Sequence, residues 1–263
     1  MRIFTFMATG RLRIPPLGTV PGLKNVHSRF TDVFIYPLEL KGLGQFTIKY
    51  KDDAVNYDAG FAYLPAFKRT IRVSATTYQD NVGGSDFTYG DPEGLREPYG
   101  TWNFKLIAKK LMLIAEPVAE RQPVLKDLFV DPQVEFKEGE KYPLLGWTIN
   151  PVYIVEATPK DKGHVYSKKI IYVEDPYFSS ALTEEMATVD IYDRTGTLWK
   201  CFYNWRGGIF HHKDGNVYTT TNGYTIHDLQ TGHTTHFPNL CVGLNTGMQE
   251  DFLSLKRLLI LGR

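Results

Sequence analysis

The chain has 263 residues, a formal net charge of +1, 43% hydrophobic and 22% charged residues. This is an ordinary globular composition on a chain long enough to bury a sizeable core, which excludes a disordered polymer. The near-neutral charge argues against nucleic-acid binding by bulk electrostatics, and no apolar run approaches the ~18 residues of a membrane-spanning helix.

Aromatic residues make up 14%, with 16 Tyr and 16 Phe, and together with many Thr and Val they favour a β-rich fold. The N-terminal MRIFTFMATGRLR is too short and wrongly flanked for a secretory signal. Residues 1–14 read as a strand ending at Pro15-Pro16, and residues 15–31 as a loop. Asp32–Pro37 and Gln45–Tyr50 read as short strands. From Phe67, strand alternation puts Phe67, Arg69, Ile71 and Val73 on one face. A guanidinium on an apolar face needs an anionic partner, so Arg69 is expected to pair with Asp86 or Asp91 in the loop that follows.

Trp102–Ala115 is the strongest strand signal. Trp102, Phe104, Leu106 and Ala108 are expected on one face, with Asn103, Lys105 and Lys109 on the other. Residues 116–150 are rich in Pro, Gly and charge, with one short helix expected around Val124–Phe129. Val152–Thr158 and Val165–Val173 form a hairpin about Pro159–Gly163. Thr188–Tyr192 and Thr197–Trp205 form a second, about Asp193–Gly196. A helical turn is expected at Ser180–Met186. Asn222-Gly223 reads as a tight turn between Asn216–Thr221 and Tyr224–Leu229. Phe252, Leu255, Leu258 and Leu259 repeat at helical spacing, predicting a terminal helix over Gln249–Leu259. Successive hairpins with one terminal helix imply an antiparallel meander.

Enzymatic chemistry finds little support. His211, His212, His227, His233 and His236 crowd the C-terminal third without the convergent ligand spacing a metal needs, and they read as surface or structural residues. GGSDF is not a nucleophile elbow, so Ser85 and Asp86 read as turn hydrogen-bonders. Gly83-Gly84 lacks the lysine and helix of a phosphate loop. Glu156 is expected to pair across strands with Lys168 or Lys169. Cys201 and Cys241 have no metal or redox spacing and read as two buried thiols, with a disulfide as the alternative.

Tyr63-Leu64-Pro65, the basic Lys68, Arg69 and Arg72, then Gly84–Tyr89 and Asp91 resemble the outer-membrane lipoprotein-sorting family of the LolA/LolB-like carrier superfamily. Trp102–Lys110, Tyr153–Thr158, His164–Lys169, Tyr192–Trp199, Asp228–Gly232 and the ending Asp251-Phe252 with Leu255–Arg257 resemble the related domain of unknown function 1329. The matches run from about Tyr36 to Arg257. Ile71 departs from the pattern, standing where the family has a further basic residue, and Ser179–Met186 reads as an insertion.

The resemblance implies a mainly β protein. Its strongly curved antiparallel sheet would form a half-barrel with a C-terminal helix, as a single LolA/LolB-like domain over residues 1–263 that lacks the family's N-terminal segment. It implies a periplasmic, non-enzymatic carrier of a lipid or other hydrophobic ligand, with no cofactor and no metal. A resistance-nodulation-division transporter is the implied partner, with transient contact to the outer or inner membrane. The alternative is an envelope adaptor that docks to such a transporter without carrying ligand. The candidate cavity lining is Phe67, Ile71, Trp102, Phe104, Leu106, Val152, Ile154, Trp199 and Tyr203. Arg69, Asp86, Asp91, Glu156 and Lys168 are the candidate structural ion pairs.

Overall fold

In a computed structural model, residues 2–11, 15–36, 38–53, 55–73, 78–116, 124–126, 129–131, 146–175, 186–211, 217–238, 242–243 and 246–261 are described. Antiparallel strands dominate, and the sheets are not closed. The chain divides into two compact units. The first comprises residues 1–83, 98–100 and 247–263, and the second residues 84–97 and 101–246.

The first unit holds β1 (Arg2–Met7), β2 (Thr9–Arg11), β3 (Gly18–Thr19), β4 (Val26–Val33), β5 (Gly44–Tyr50), β6 (Ala59–Leu64) and β7 (Arg69–Val73). Five of these form a sheet in the order β1-β4-β5-β6-β7, and β2 pairs with β3. Phe4, Thr31, Phe46 and Phe61 stand opposite one another across four strands and so share one side. On the core formed by Phe46, Tyr63, Leu253 and Leu258 pack Phe4, Phe6, Phe252 and Leu255. Leu253, Leu255 and Leu258 come from the C-terminal segment, whose helix α1 spans Leu255–Leu261 after a 3-10 turn at Glu250–Phe252. The expected terminal helix is therefore present, but split by a non-helical step.

The second unit holds β8 (Trp102–Glu116), β9 (Val124–Lys126), β10 (Phe129–Asp131), β11 (Gly146–Pro159), β12 (Tyr166–Glu174), β13 (Met186–Asp193), β14 (Leu198–His211), β15 (Val217–Asp228), β16 (Thr234–Pro238) and β17 (Val242–Gly243). Its main sheet has the order β16-β15-β14-β13-β12-β11-β8, and β17-β10-β9 form a small one. Both hairpins read from turn chemistry, β11–β12 and β13–β14, are present.

Four local expectations are corrected. The strand expected at Asp32–Pro37 after a loop over 15–31 lies earlier, as β4 at Val26–Val33. Asn222-Gly223 is not a turn, because β15 runs straight through it. Trp205 pairs with Gly223 and Arg206 with Thr221, leaving Asn222 as the extra residue of a β-bulge, and Gly223 has φ 136°. A glycine in a strand marks a bulge as readily as a turn. The helix expected around Val124–Phe129 is instead the β9 and β10 pair. Phe67 does not begin a strand: Pro65–Phe67 is a 3-10 turn, Lys68 follows in left-handed conformation at φ 49°, and β7 starts at Arg69. Of the turn expected at Ser180–Met186, residues 180–185 lie outside the described residues, and Met186 opens β13.

Cys201 is a free thiol, half-buried, with Sγ 3.7 Å from Asp190 Oδ1, while Cys241 lies outside the described residues. Burial first, and the Asp190 charge second, push the Cys201 thiol up to about 11. Since only the thiolate reacts, alkylation of native Cys201 at pH 8 is expected to run at least tenfold slower than after unfolding. Mass spectrometry of iodoacetamide-treated protein checks this, and equal rates would contradict it.

Candidate functional site

The main sheet of the second unit has one side defined by its register. Ala157, Lys169, Ile191, Lys200 and Asp228 stand opposite one another across β11 to β15. Ile171, Val189, Phe202, Ile226 and Thr235 form the next row. The apolar members Ile171, Val189, Ile191, Phe202 and Ile226 are all buried. The loop Gly84–Glu97 covers this side: Phe87 meets Phe202 edge-on at 6.3 Å and Tyr224 at 5.3 Å.

The same loop is clamped by a buried polar cluster. Lys169, fully buried, donates to Asp91 Oδ1 at 3.0 Å, to the Gly94 carbonyl at 3.1 Å and to the Gly90 carbonyl at 3.5 Å. Asp91 Oδ2 accepts from the Thr88 N–H at 2.9 Å and from the Tyr166 hydroxyl at 2.8 Å. Burial alone would raise Asp91, but Lys169 and Lys200 outweigh it and hold the carboxyl below its usual range. Burial, then the Asp91 charge, push the Tyr166 phenol well above its ordinary value.

Lys200 donates to the Asp86 carbonyl at 2.7 Å and lies over the Trp199 ring at 4.4 Å. Burial lowers its pKa against the opposing charges of Asp91, Asp228 and Asp86. Asp86 Oδ2 is 2.6 Å from both Thr235 Oγ1 and His233 Nδ1. Buried His164 accepts the Tyr166 N–H on Nδ1, so its proton sits on Nε2, which donates to Glu97 at 3.2 Å. The cluster is thus a clamp whose charged groups are engaged with one another. Ser85 Oγ accepts from the Phe87 N–H, the turn role its sequence indicates. Among the described residues no group of His, Cys, Asp and Glu is placed to hold a metal ion.

Bulges aim these side chains. Tyr166 pairs with Asp193 and Lys168 with Tyr192, so Ser167 is an extra residue that brings Tyr166 to the Lys169 side. A second bulge at Ile107 sets Leu106 opposite Val155 and Ala108 opposite Ile154. The face expected from alternation therefore breaks. Leu106 and Ala108 lie on opposite sides, and Lys109 joins the Leu106 side, where it binds Asp175 and the Tyr153 hydroxyl.

Beyond the reach of the loop, this side carries a row of uncovered apolar groups along β8 and β11. Phe104 is 47% exposed, Leu106 62%, Leu111 72%, Leu113 59% and Ile149 65%, with Leu113 opposite Ile149. Trp147, 50% exposed, stands at the end of β11 beyond the row and meets Tyr203, which belongs to the other side of the sheet, edge-on at 6.4 Å. At about 3.3 Å per residue, Leu106 to Leu113 spans roughly 20 Å. Large contiguous exposed apolar surface marks a binding surface.

The nine candidate lining residues do not form one set. Phe104 and Leu106 belong to the row. Trp102 is buried at 3% beside His164, and Trp199 is engaged with Asp228 through its Nε1. Val152 and Ile154 lie on the opposite side, in a small core with Ile114, and Tyr203 stands on that side in the same cross-strand row as Ile154. Phe67 and Ile71 are exposed in the first unit. The ion pairs also sort differently. Glu156 and Lys168 meet at 3.4 Å as expected. Arg69, however, is exposed, as are Thr70, Ile71 and Arg72, so both faces of β7 are open there. Asp91 belongs to Lys169 and Asp86 to His233. Sequence reasoning missed Leu111, Leu113, Trp147 and Ile149. For Leu111 and Leu113 the signal was the stretch after Lys109 that is apolar on both sides, which reads as doubly covered, while Trp147 and Ile149 fall at the end of a segment read as rich in Pro, Gly and charge.

A family model described as a protein of unknown function, DUF1329, matches residues 10–241. The chain belongs to the DUF1329 family. No curated protein matches this DUF1329 member. A crystal structure described as a "putative outer membrane lipoprotein-sorting protein domain", from Vibrio parahaemolyticus, superposes with a TM-score of 0.57 at 19% identity, covering 91% of this chain and 79% of that one. A DUF1329 family protein from Desulfovibrio piger gives 0.56 at 18% identity, covering 89% and 78%. A LolA superfamily protein from Nitrosomonas europaea gives 0.46 at 14% identity, covering 97% and 88%.

Proposed function

We propose that this DUF1329 member is a non-enzymatic carrier or chaperone of the bacterial cell envelope that binds a lipid or similar hydrophobic molecule along the β8–β11 row. The observation that carries this reading is the row itself: Leu106, Leu111, Leu113 and Ile149 are each more than half exposed on one side of one strand pair. The fold shared with the lipoprotein-sorting domain supports it. A sixteen-carbon chain with about half its surface against the row gains at most roughly 6 kcal/mol, from ~0.8 kcal/mol per methylene. That corresponds to a Kd of tens of micromolar before ordering costs, so a long chain is favoured over a short one.

The test is titration with a fluorescent long-chain fatty acid. Saturable binding is expected, with at least a tenfold loss in a Leu111→Glu, Leu113→Glu variant. A Lys110→Glu variant, altered on the opposite side of β8, should bind as the unaltered chain does. Absence of binding, or equal binding by the double variant, would refute the reading and leave the adaptor role in its place.

A further inference from the structure

One end of the five-stranded sheet in the first unit has a character that the carrier reading does not use. Gly44 pairs with both Val33 and Tyr63, so the β4–β5 connector and the β6–β7 tip lie at the same end of the sheet. On the connector Tyr36 is 75% exposed, Leu38 74% and Ile35 45%, and on the tip Phe67 is 69% exposed. Exposed Lys41 stands on the connector, Lys68 and Arg69 on the tip, and Arg2 opposite Val33 at this same end. Glu39 is the one carboxylate on either segment. From Ala59 to Gln79 the chain carries Lys68, Arg69 and Arg72 and no acidic residue at all. The β6 partners of Arg69 and Arg72 are Leu64 and Phe61, so neither cation is neutralised across the strand pair.

The other end of the sheet is a built-in comparison. Its β5–β6 connector also exposes Val55 and Tyr57, but carries Asp52, Asp53 and Asp58 beside Lys51. Exposed apolar groups therefore occur at both ends, while excess positive charge accompanies them at one. Aromatic and aliphatic side chains ringed by cations fit a surface with an anionic skin over an apolar interior. An acidic protein surface would use the cations and leave Tyr36, Leu38 and Phe67 without a use. The tip is also preorganised: Pro65 opens its 3-10 turn and the Lys68 N–H closes it on the Pro65 carbonyl at 3.0 Å. Little order remains to be imposed on docking.

We propose that this end of the sheet, formed by Ile35, Tyr36, Leu38, Lys41, Phe67, Lys68 and Arg69, docks the protein on an anionic lipid bilayer. The proposal is independent of where a carried ligand lies. The test is co-sedimentation of the purified chain with phosphatidylglycerol-rich vesicles and with phosphatidylcholine vesicles. Binding is expected to the anionic vesicles only, and to fall with added salt. Lys68→Glu with Arg69→Glu should weaken it by roughly tenfold or more, given the contribution of each cation near such a surface. A Tyr36→Ser, Leu38→Ser, Phe67→Ser variant should weaken it at low salt as well. Both variants are expected to keep the circular dichroism spectrum and the fatty-acid titration of the unaltered chain, which separates this docking edge from the β8–β11 row. Failure of the unaltered chain to bind anionic vesicles, or equal binding by both variants, would overturn the proposal. Retention on immobilised polyglutamate without vesicle binding would also overturn it, assigning the end to an acidic protein surface.

Discussion

Asp91→Ala should destabilise the fold by about 3–5 kcal/mol, the cost typical of removing one partner from a buried pair. The substitution leaves the Lys169 ammonium buried with only the Gly90 and Gly94 carbonyls, and takes the acceptor from both the Thr88 N–H and the Tyr166 hydroxyl. The loop that covers Phe202 loses its central tie. Replacing both partners, Asp91→Leu with Lys169→Met, should recover part of the loss, since no charge is then stranded. Urea unfolding of the three proteins checks this, and a loss under about 1 kcal/mol for Asp91→Ala would contradict the clamp. The pH dependence has a defined sign. The folded carboxyl sits below its ordinary 3.8, so its contribution is complete above that value and disappears as pH falls from there through the folded value. The difference between the unaltered chain and Asp91→Ala should therefore shrink in acid. A difference that grew in acid would contradict the pairing.

Gly44→Ala should be the most damaging single-methyl change in the first unit, costing about 1–3 kcal/mol or more by overpacking. A Cβ there would press on the Asp32 carbonyl closer than real contacts allow, and would lie 3.0 Å from Leu258 Cδ1 and 3.1 Å from Val33 Cα. Neither strand backbone nor a leucine of the core can yield without lifting α1 from Phe46 and Tyr63. Gly196→Ala is the comparison: nothing lies within 4 Å of its Cβ, so its cost comes only from φ +83°. Thermal melts of both decide the matter, and a Gly44→Ala melt equal to that of the unaltered chain would show that the helix can shift.

Much of the architecture was legible because period-two alternation and turn residues are local signals. Trp102–Glu116, the two hairpins about Pro159–Gly163 and Asp193–Gly196, and the leucine spacing at 252–259 all follow from them. What local signals miss is the bulge. Alternation carried through Ile107 puts Ala108 on the Leu106 side, and carried through Ser167 it would put Tyr166 on the side away from Lys169. The Arg69 pairing failed for a different reason. Proximity in sequence favoured Asp86 and Asp91, whereas the buried cations that reach them, Lys169 and Lys200, come from strands about 78 and 109–114 residues later. Exposure of Leu111 and Leu113 was also illegible, since a run that is apolar on both sides reads the same whether or not something covers it.

The bulge at Ile107 has a consequence for how this chain would vary among relatives. Exchanging leucine for isoleucine or valine along β8 preserves the row, so its sequence is free to drift. Loss of the single residue Ile107 would leave every other side chain in place on paper. It would do so in the sheet as well: Leu106 already faces with Val155 and Ala108 with Ile154, so closing the gap gives a regular ladder, with Trp102 still beside Lys169 and Leu106 still on the side of Leu111. What would turn half of the strand over is loss of the bulge at unchanged length, because Leu106 and Leu111 share a side while standing an odd number of residues apart. A one-residue gap there in an aligned relative would mark a regular strand with the same binding face, whereas an ungapped relative keeps that face only by keeping a bulge.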